Sequence, residues 1–277
     1  MVEVVTDSTA DIPAHMVSEL GISVIPTYVV FGSETFRDGV DLTRQQFYRK
    51  LLATRIVPIT AAPPPAVYEE VYRRLAKETD EIVSIHLASR YSGLWNSAAL
   101  AARDVSEARI AVIDSGQVTM GYGWMVVAAA EAARRGESLE RIRALVEGMK
   151  PRSRVLAILD TFEYLRRGGR VDWMRSMIGT VLRIKPMVEV RMDEIQLVER
   201  ARTLERSLAR LLERVRSLEP LERLIVLHAN AAEVAERLAD HLQTLLPAWD
   251  RLIDQAGVTI ASHAGPGAVG IACVTAE

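Results

Sequence analysis

Three observations predict an α/β protein with an N-terminal parallel-sheet domain and a C-terminal domain whose sheet is mixed and partly antiparallel. Short apolar runs alternate with helical patterns over the first half of the chain. The second half carries a two-strand pattern that reads as a hairpin. The apolar fraction is 49% and the charged fraction 25%, enough to bury a core and far from a disordered composition. A length of 277 residues suits two domains. The expected division is 1–150 and 151–277, at Lys150-Pro151, with a ligand between the two.

The elements follow in order. Glu3–Thr6 is valine-rich and strand-like, and Asp7-Ser8-Thr9 turns the chain. Asp11 and Pro13 stand where an N-cap and first helical turn belong, and Gly21 ends that helix. Pro63–Pro65 lead into a helix, AVYEEVYRRLAKE. Ile82–Leu87 is a strand, Leu94–Arg103 a helix, Arg109–Ile113 a strand and Val118–Arg135 a long helix. Strands separated by helices pair in parallel, and right-handed crossovers put helices on both faces. In the second half, Val155–Leu159 is a strand and Trp173–Arg183 a helix. Pro186–Arg191 and Ile195–Arg200 form a hairpin across Met192-Asp193-Glu194. A charged amphipathic helix, TLERSLARLLERVRSLE, precedes the strand Leu224–Leu227 and the helix Ala231–Leu246. Val258–Ser262 and Gly270–Thr275 read as two closing strands around a Gly/Pro turn.

Composition narrows the function. With 34 basic and 36 acidic residues, no general field draws the chain to nucleic acid or an anionic membrane. One cysteine, Cys273, rules out an internal disulfide framework and cysteine-rich zinc sites. The start MVEVVTDST has no basic-then-apolar signal, and the apolar stretch Met120–Ala130 is too short to span a bilayer. A cytoplasmic protein is expected.

Gly265-Pro266-Gly267-Ala268-Val269-Gly270 matches GxGxxG but precedes a strand and the chain end, so the dinucleotide reading fails; no Walker A sequence is present. Ser92-Gly93 lies between strand and helix, yet lacks the GxSxG elbow. A triad of Ser92, His263 and Asp114 can be drawn, and the plainer reading of Ser92 is a helix cap. The paired acids Asp7 with Asp11, and Asp38 with Asp41, lack His or Cys at ligand spacing and read as caps and turns, so no metal is expected. What remains is a set of hydroxyls at junctions: Ser8, Thr9, Thr60, Ser92 and Ser115. Junctions at the carboxyl edge of an open sheet are where ligands bind, and helix N-termini there favour an anion. Arg170 in Arg166–Arg170 and His263 in Ser262–Gly267 add donors. Their plainer readings are a turn charge and a structural hydrogen bond.

Together these segments resemble the DegV family. The resemblance rests on Thr6–Asp11, Asp38–Asp41 with Phe47-Tyr48, Thr60, and Leu87–Gly93. It continues through Asp114-Ser115, Leu165–Arg170, Ile184–Pro186 and Ser262–Gly267, and so runs in order along essentially the whole chain. It implies two α/β domains with a long-chain fatty acid in an apolar tunnel between them, its carboxylate met by Thr60, Ser92, Arg170 and His263. It also implies the lipid-binding subunit of a two-component fatty-acid kinase, without catalytic activity alone. The ATP-binding kinase subunit would be a separate partner that phosphorylates the carboxylate to an acyl phosphate. No cofactor, nucleic acid or stable membrane insertion is implied, and membrane contact is at most transient.

A carboxylate leaving water needs hydrogen bonds or a charge partner, and two hydroxyls with an Arg and a His supply them. Trp124–Ala130 and Trp173–Leu182 are candidates to line the tunnel, core packing being their plainer role. Two departures stand out. Ala61 and Ala62 follow Thr60 where the family usually has serine and a polar residue, and Asp172-Trp173-Met174-Arg175 replaces small residues. The rival readings are a carrier of another amphipathic anion, a hydrolase using Ser92, and a regulatory protein-binding role.

Overall fold

A computed structural model describes residues 1–54, 56–169, 184–246 and 248–277. The first half runs β1 (Glu3–Asp7), α1 (Ala14–Leu20), β2 (Ser23–Ile25), β3 (Tyr28–Phe31), β4 (Glu34–Arg37), α2 (Arg44–Thr54) and β5 (Ile59–Ala61). It continues with α3 (Pro65–Leu75), β6 (Glu81–His86), α4 (Leu94–Arg103), β7 (Arg109–Asp114), α5 (Met120–Arg134) and α6 (Leu139–Met149). A 3-10 turn, Lys150–Arg152, leads into the second half. There the order is β8 (Ser153–Ile158), α7 (Glu163–Arg167), β9 (Lys185–Arg191), β10 (Glu194–Ala201), α8 (Leu204–Arg216) and β11 (Leu221–His228). Then come α9 (Ala232–Leu245), β12 (Ile253–Gln255), α10 (Val258–Ala264) and β13 (Val269–Thr275).

Among the described residues three sheets result. The first is parallel, in the order β2-β1-β6-β7. Its strands are apolar on both faces because both are covered. Val5 and Ile82 face Tyr68, Tyr72 and Ala98 of α3 and α4. Val4, Val83 and Ile85 face α5 and α6 on the other side. The second sheet is mixed, β10-β9-β8-β13-β11-β12, antiparallel except where β11 meets β12. Its outer face is covered by α8 and α9 through Leu208, Leu211, Leu238 and Leu242. The α/β class with one parallel and one mixed sheet is therefore as expected. The third, antiparallel β4-β3-β5, was not anticipated. Its strands are three or four residues long and half exposed, too short for a period to register.

Helix α5 joins the first two sheets. Thirteen of its 15 residues are buried. Trp124 Nε1 donates to the Ala272 carbonyl of β13 at 3.1 Å. Gly121 and Gly123 let α5 lie close on both sides: a Cβ on the first would meet Val155 Cγ2 of β8 at 2.6 Å, and on the second the Ala10 carbonyl just after β1 at 2.5 Å. The β9–β10 hairpin also returns to the first half. Its turn residues Met192 and Asp193 have positive φ, as a type I′ turn needs. Asp193 N donates to the Gly116 carbonyl at 2.9 Å. Arg90 Nη1 and Tyr91 Oη donate to the Asp193 carbonyl at 2.9 and 2.6 Å.

Some expectations are corrected. Val258–Ser262 is not a strand but the body of α10. A short apolar run does not distinguish the two, and here carboxylates hold the first-turn N–H groups. Asp11 does not cap α1, whose N-cap is Pro13 with no side-chain bond; Gly21 does end it, with φ +69°. Ser92 makes no cap bond to α4, whose N-cap is Gly93. Thr60 lies in β5 rather than at a helix start. Arg170, Trp173 and the helix expected over 173–183 lie outside the described residues.

Candidate functional site

The carboxyl ends of β1 and β6, the edge of β5, one face of the mixed sheet and the helix α10 enclose a cavity of about 220 Å³. Most of its wall is apolar: Leu87, Leu94, Val118, Val155, Ala157, Leu159, Leu165, Val188, Val190, Ile195 and Ile260. A smaller space of about 60 Å³ shares Thr119, Val155, Ala157, Ile260 and Ala264 with it and extends toward Leu227, Ala256 and Gly270. The helical run Trp124–Ala130 takes the plainer of its two readings and packs in the core; Val118 and Thr119 just before α5 are its neighbours that reach the cavity.

Thr60, Ser92 and His263 all line this cavity. They come from β5, from the β6–α4 junction and from the last turn of α10. Thr60 Oγ1 and His263 Nε2 are hydrogen-bonded at 2.8 Å across 203 residues of sequence. Both are half-buried, as is Ser92. Gly168, just past α7, packs on the imidazole: a Cβ there would lie 2.5 Å from Nδ1. Ala61 and Ala62 also line the wall, so methyl groups stand beside Thr60.

Thr9, Thr27, Thr119 and Thr259 make a second polar zone on the wall. Their hydroxyls belong to a network rooted in buried acids. Thr9 Oγ1 donates to Asp7 Oδ1 at 2.5 Å, and Tyr122 Oη donates to the same atom at 2.8 Å. Thr119 Oγ1 donates to Asp11 Oδ2 at 2.6 Å. Thr259, Thr27 and Ser8 are linked hydroxyl to hydroxyl at 2.6 and 2.8 Å, and Ser8 donates to Asp38 Oδ2 at 3.1 Å. Burial pushes the Asp11 carboxyl up to about 7, against the lowering effect of Arg44 and Thr119. Burial also raises Asp38.

The triad drawn from Ser92, His263 and Asp114 loses its acid: Asp114 accepts from the N–H groups of Ser89 and Gly116. A different line, Asp7–His86–Ser84, has the order of a hydrolytic triad at 2.8 and 2.7 Å. All three residues are fully buried and Ser84 accepts from Tyr72 Oη, so no substrate reaches it. Among the described residues no group of three or more His, Cys, Asp or Glu is placed to hold a metal, and no helix is long and apolar enough to cross a membrane.

A family model described as "Uncharacterised protein, DegV family" matches residues 1–276. The chain belongs to the DegV family. Protein DegV of Bacillus subtilis is 34% identical over 274 residues, covering 98% of each chain. A DegV domain-containing protein of Caldanaerobacter subterraneus is 33% identical over 273 residues, 98% of this chain and 97% of its own. Among solved structures, a DegV family protein from Thermus thermophilus described for its fatty acid binding superposes with a TM-score of 0.91 at 30% identity, over 99% of both chains. DegV of Bacillus subtilis, described as a fatty acid binding protein, gives 0.90 at 33% identity over 99% of both. Of the DegV segments read from the sequence, Thr9, Thr60, Leu87, Tyr91 to Gly93, Leu165 and His263 line the cavity, and Asp38–Asp41, Phe47-Tyr48, Asp114-Ser115 and Ile184–Pro186 do not. Thr27, Thr119 and Thr259 were not read as site residues. A threonine leaves no trace in composition or period, and only the fold brings these three together.

Proposed function

We propose that this protein binds a long-chain fatty acid, burying its tail in the apolar cavity and holding its carboxylate at Thr60, Ser92 and His263, with Arg170 as the cationic partner. One observation carries the reading: a largely apolar cavity is lined by a hydrogen-bonded Thr60–His263 pair and by Ser92. The fatty-acid-binding description of the Thermus and Bacillus relatives supports it. The tail supplies most of the affinity, at about 0.8 kcal/mol per buried CH₂. The carboxylate is compatible with the site because hydroxyl and imidazole donors replace its water. The ligand sits between a parallel-sheet domain, 1–150, and a mixed-sheet domain, 151–277.

The role that follows is presentation. The chain acts without catalysis of its own, in the cytoplasm, and offers the carboxylate to a separate ATP-binding kinase subunit that makes the acyl phosphate. The test is turnover of ATP and labelled palmitate by this chain with the kinase subunit of its own organism. Acyl phosphate formed only when both proteins are present supports the role. Binding of palmitate without phosphorylation by that subunit leaves a carrier and removes the kinase role.

A further inference from the structure

Helix α10 is seven residues long and carries Thr259 and His263 one turn apart on the cavity wall. So short a helix has little stability of its own, and its first N–H groups have no partner within it. Two carboxylates from the first half of the chain take those groups. Gly257 N donates to Asp11 Oδ1 at 2.8 Å. Val258 N and Thr259 N donate to Asp38 Oδ1 and Oδ2 at 3.3 and 3.2 Å. Asp38 lies 220 residues before Val258, in a turn just after β4. Both acids are tied down in turn, Asp11 by Thr119 and Asp38 by Ser8. Gly257 fits closely here: a Cβ would meet Asp11 Oδ1 at 2.4 Å. At the other end of the same helix, His263 meets Thr60 of β5.

We propose that Asp11 and Asp38 are positioning residues of the head-group site: they grip the first turn of α10 from outside and thereby set His263 against Thr60. Neither acid touches the ligand. Their effect falls mainly on the carboxylate end: α10 gives the apolar wall only Ile260 and Ala264, and the wall from Leu87 to Ile195 comes from other elements. The proposal rests on the fatty-acid reading for its ligand and on the geometry above for its mechanism.

The experiment has two readouts on Asp11→Ala, Asp38→Ala and Asp38→Asn in the full chain. The first is the ring NMR signals of ¹⁵N-labelled His263 in ligand-free protein, with exposed His241 as the internal control. The second is the affinity for palmitate and for hexadecanol, which has the same tail and no carboxylate. In the Ala variants His263 signals should move while those of His241 stay. Palmitate affinity should fall at least tenfold and hexadecanol affinity less than twofold. Asp38→Asn, which keeps an acceptor oxygen, should recover part of the palmitate affinity; if the Ala variants do not fold, this variant and Asp11→Asn carry both readouts, with smaller shifts of the same sign. Unmoved His263 signals, or equal loss of both lipids, would overturn the proposal. A wild-type protein that takes up neither lipid would instead remove the fatty-acid reading, while the His263 signals still decide whether the two acids place the ring.

Discussion

His263 is held on two sides, by Thr60 at 2.8 Å and by the backbone of Gly168. Replacing His263 with Ala should weaken palmitate binding roughly 10- to 100-fold, the ~1–3 kcal/mol cost of leaving a buried polar group unpaired. Isothermal titration checks this. A second residue-scale prediction concerns pH. The Asp11 carboxyl stands at about 7 in the fold against an ordinary 3.8, so folding favours its protonated form. That contribution is complete below pH ~4 and is lost as pH rises through about 7. Around it stand Asp38, Arg44 and Tyr48, with Tyr122 from α5, and Arg44 is itself paired with Asp254. Asp11→Asn should flatten the fall in thermal stability between pH 4 and 7, by an amount on the order of a few kcal/mol. An unchanged slope would place the titrating group elsewhere. At this scale the sequence singles out Thr60, Ser92 and His263, and the fold brings all three to one cavity wall, with Thr60 inside β5 and not at a helix start. The contact of Asp38 with α10 is not legible in the sequence, since Val258 and Thr259 lie more than 200 residues away.

Among the elements, α5 and the parallel strands β1, β6 and β7 are readable because they are apolar runs bounded by turn residues, whereas β2, three residues long, leaves no such signal. Helix α10 reads as a strand in the sequence for a physical reason: Val258-Thr259-Ile260-Ala261-Ser262 is a short run rich in β-branched residues, and the carboxylates of Asp11 and Asp38 that take its first N–H groups lie far away in the chain. The end of α7 bears on the site in the same way. Gly168→Ala should push the imidazole off Thr60, because the new methyl group would sit 2.5 Å from Nδ1. Palmitate affinity should drop several-fold with little change in far-UV circular dichroism. In α5, Trp124→Ala removes a buried ring and its bond to Ala272, and should cost about 3–5 kcal/mol in urea unfolding.

For the molecule as a whole, one hydrophobic cluster includes Val83 and Ile85 of the parallel sheet, the length of α5, and Val155, Ile225 and Ala272 of the mixed sheet. The two sheets should therefore unfold together. A single urea transition seen identically by fluorescence and circular dichroism is the expected result. A ligand held between them stabilises both, by about 2.7 kcal/mol at a hundredfold excess over Kd. The most direct test is native mass spectrometry of the protein, first as purified and then after delipidation and addition of palmitate or oleate. The account predicts one fatty acid per chain, displaced by excess of another and retained poorly by His263→Ala. A delipidated protein that stays folded and takes up neither acid would contradict it.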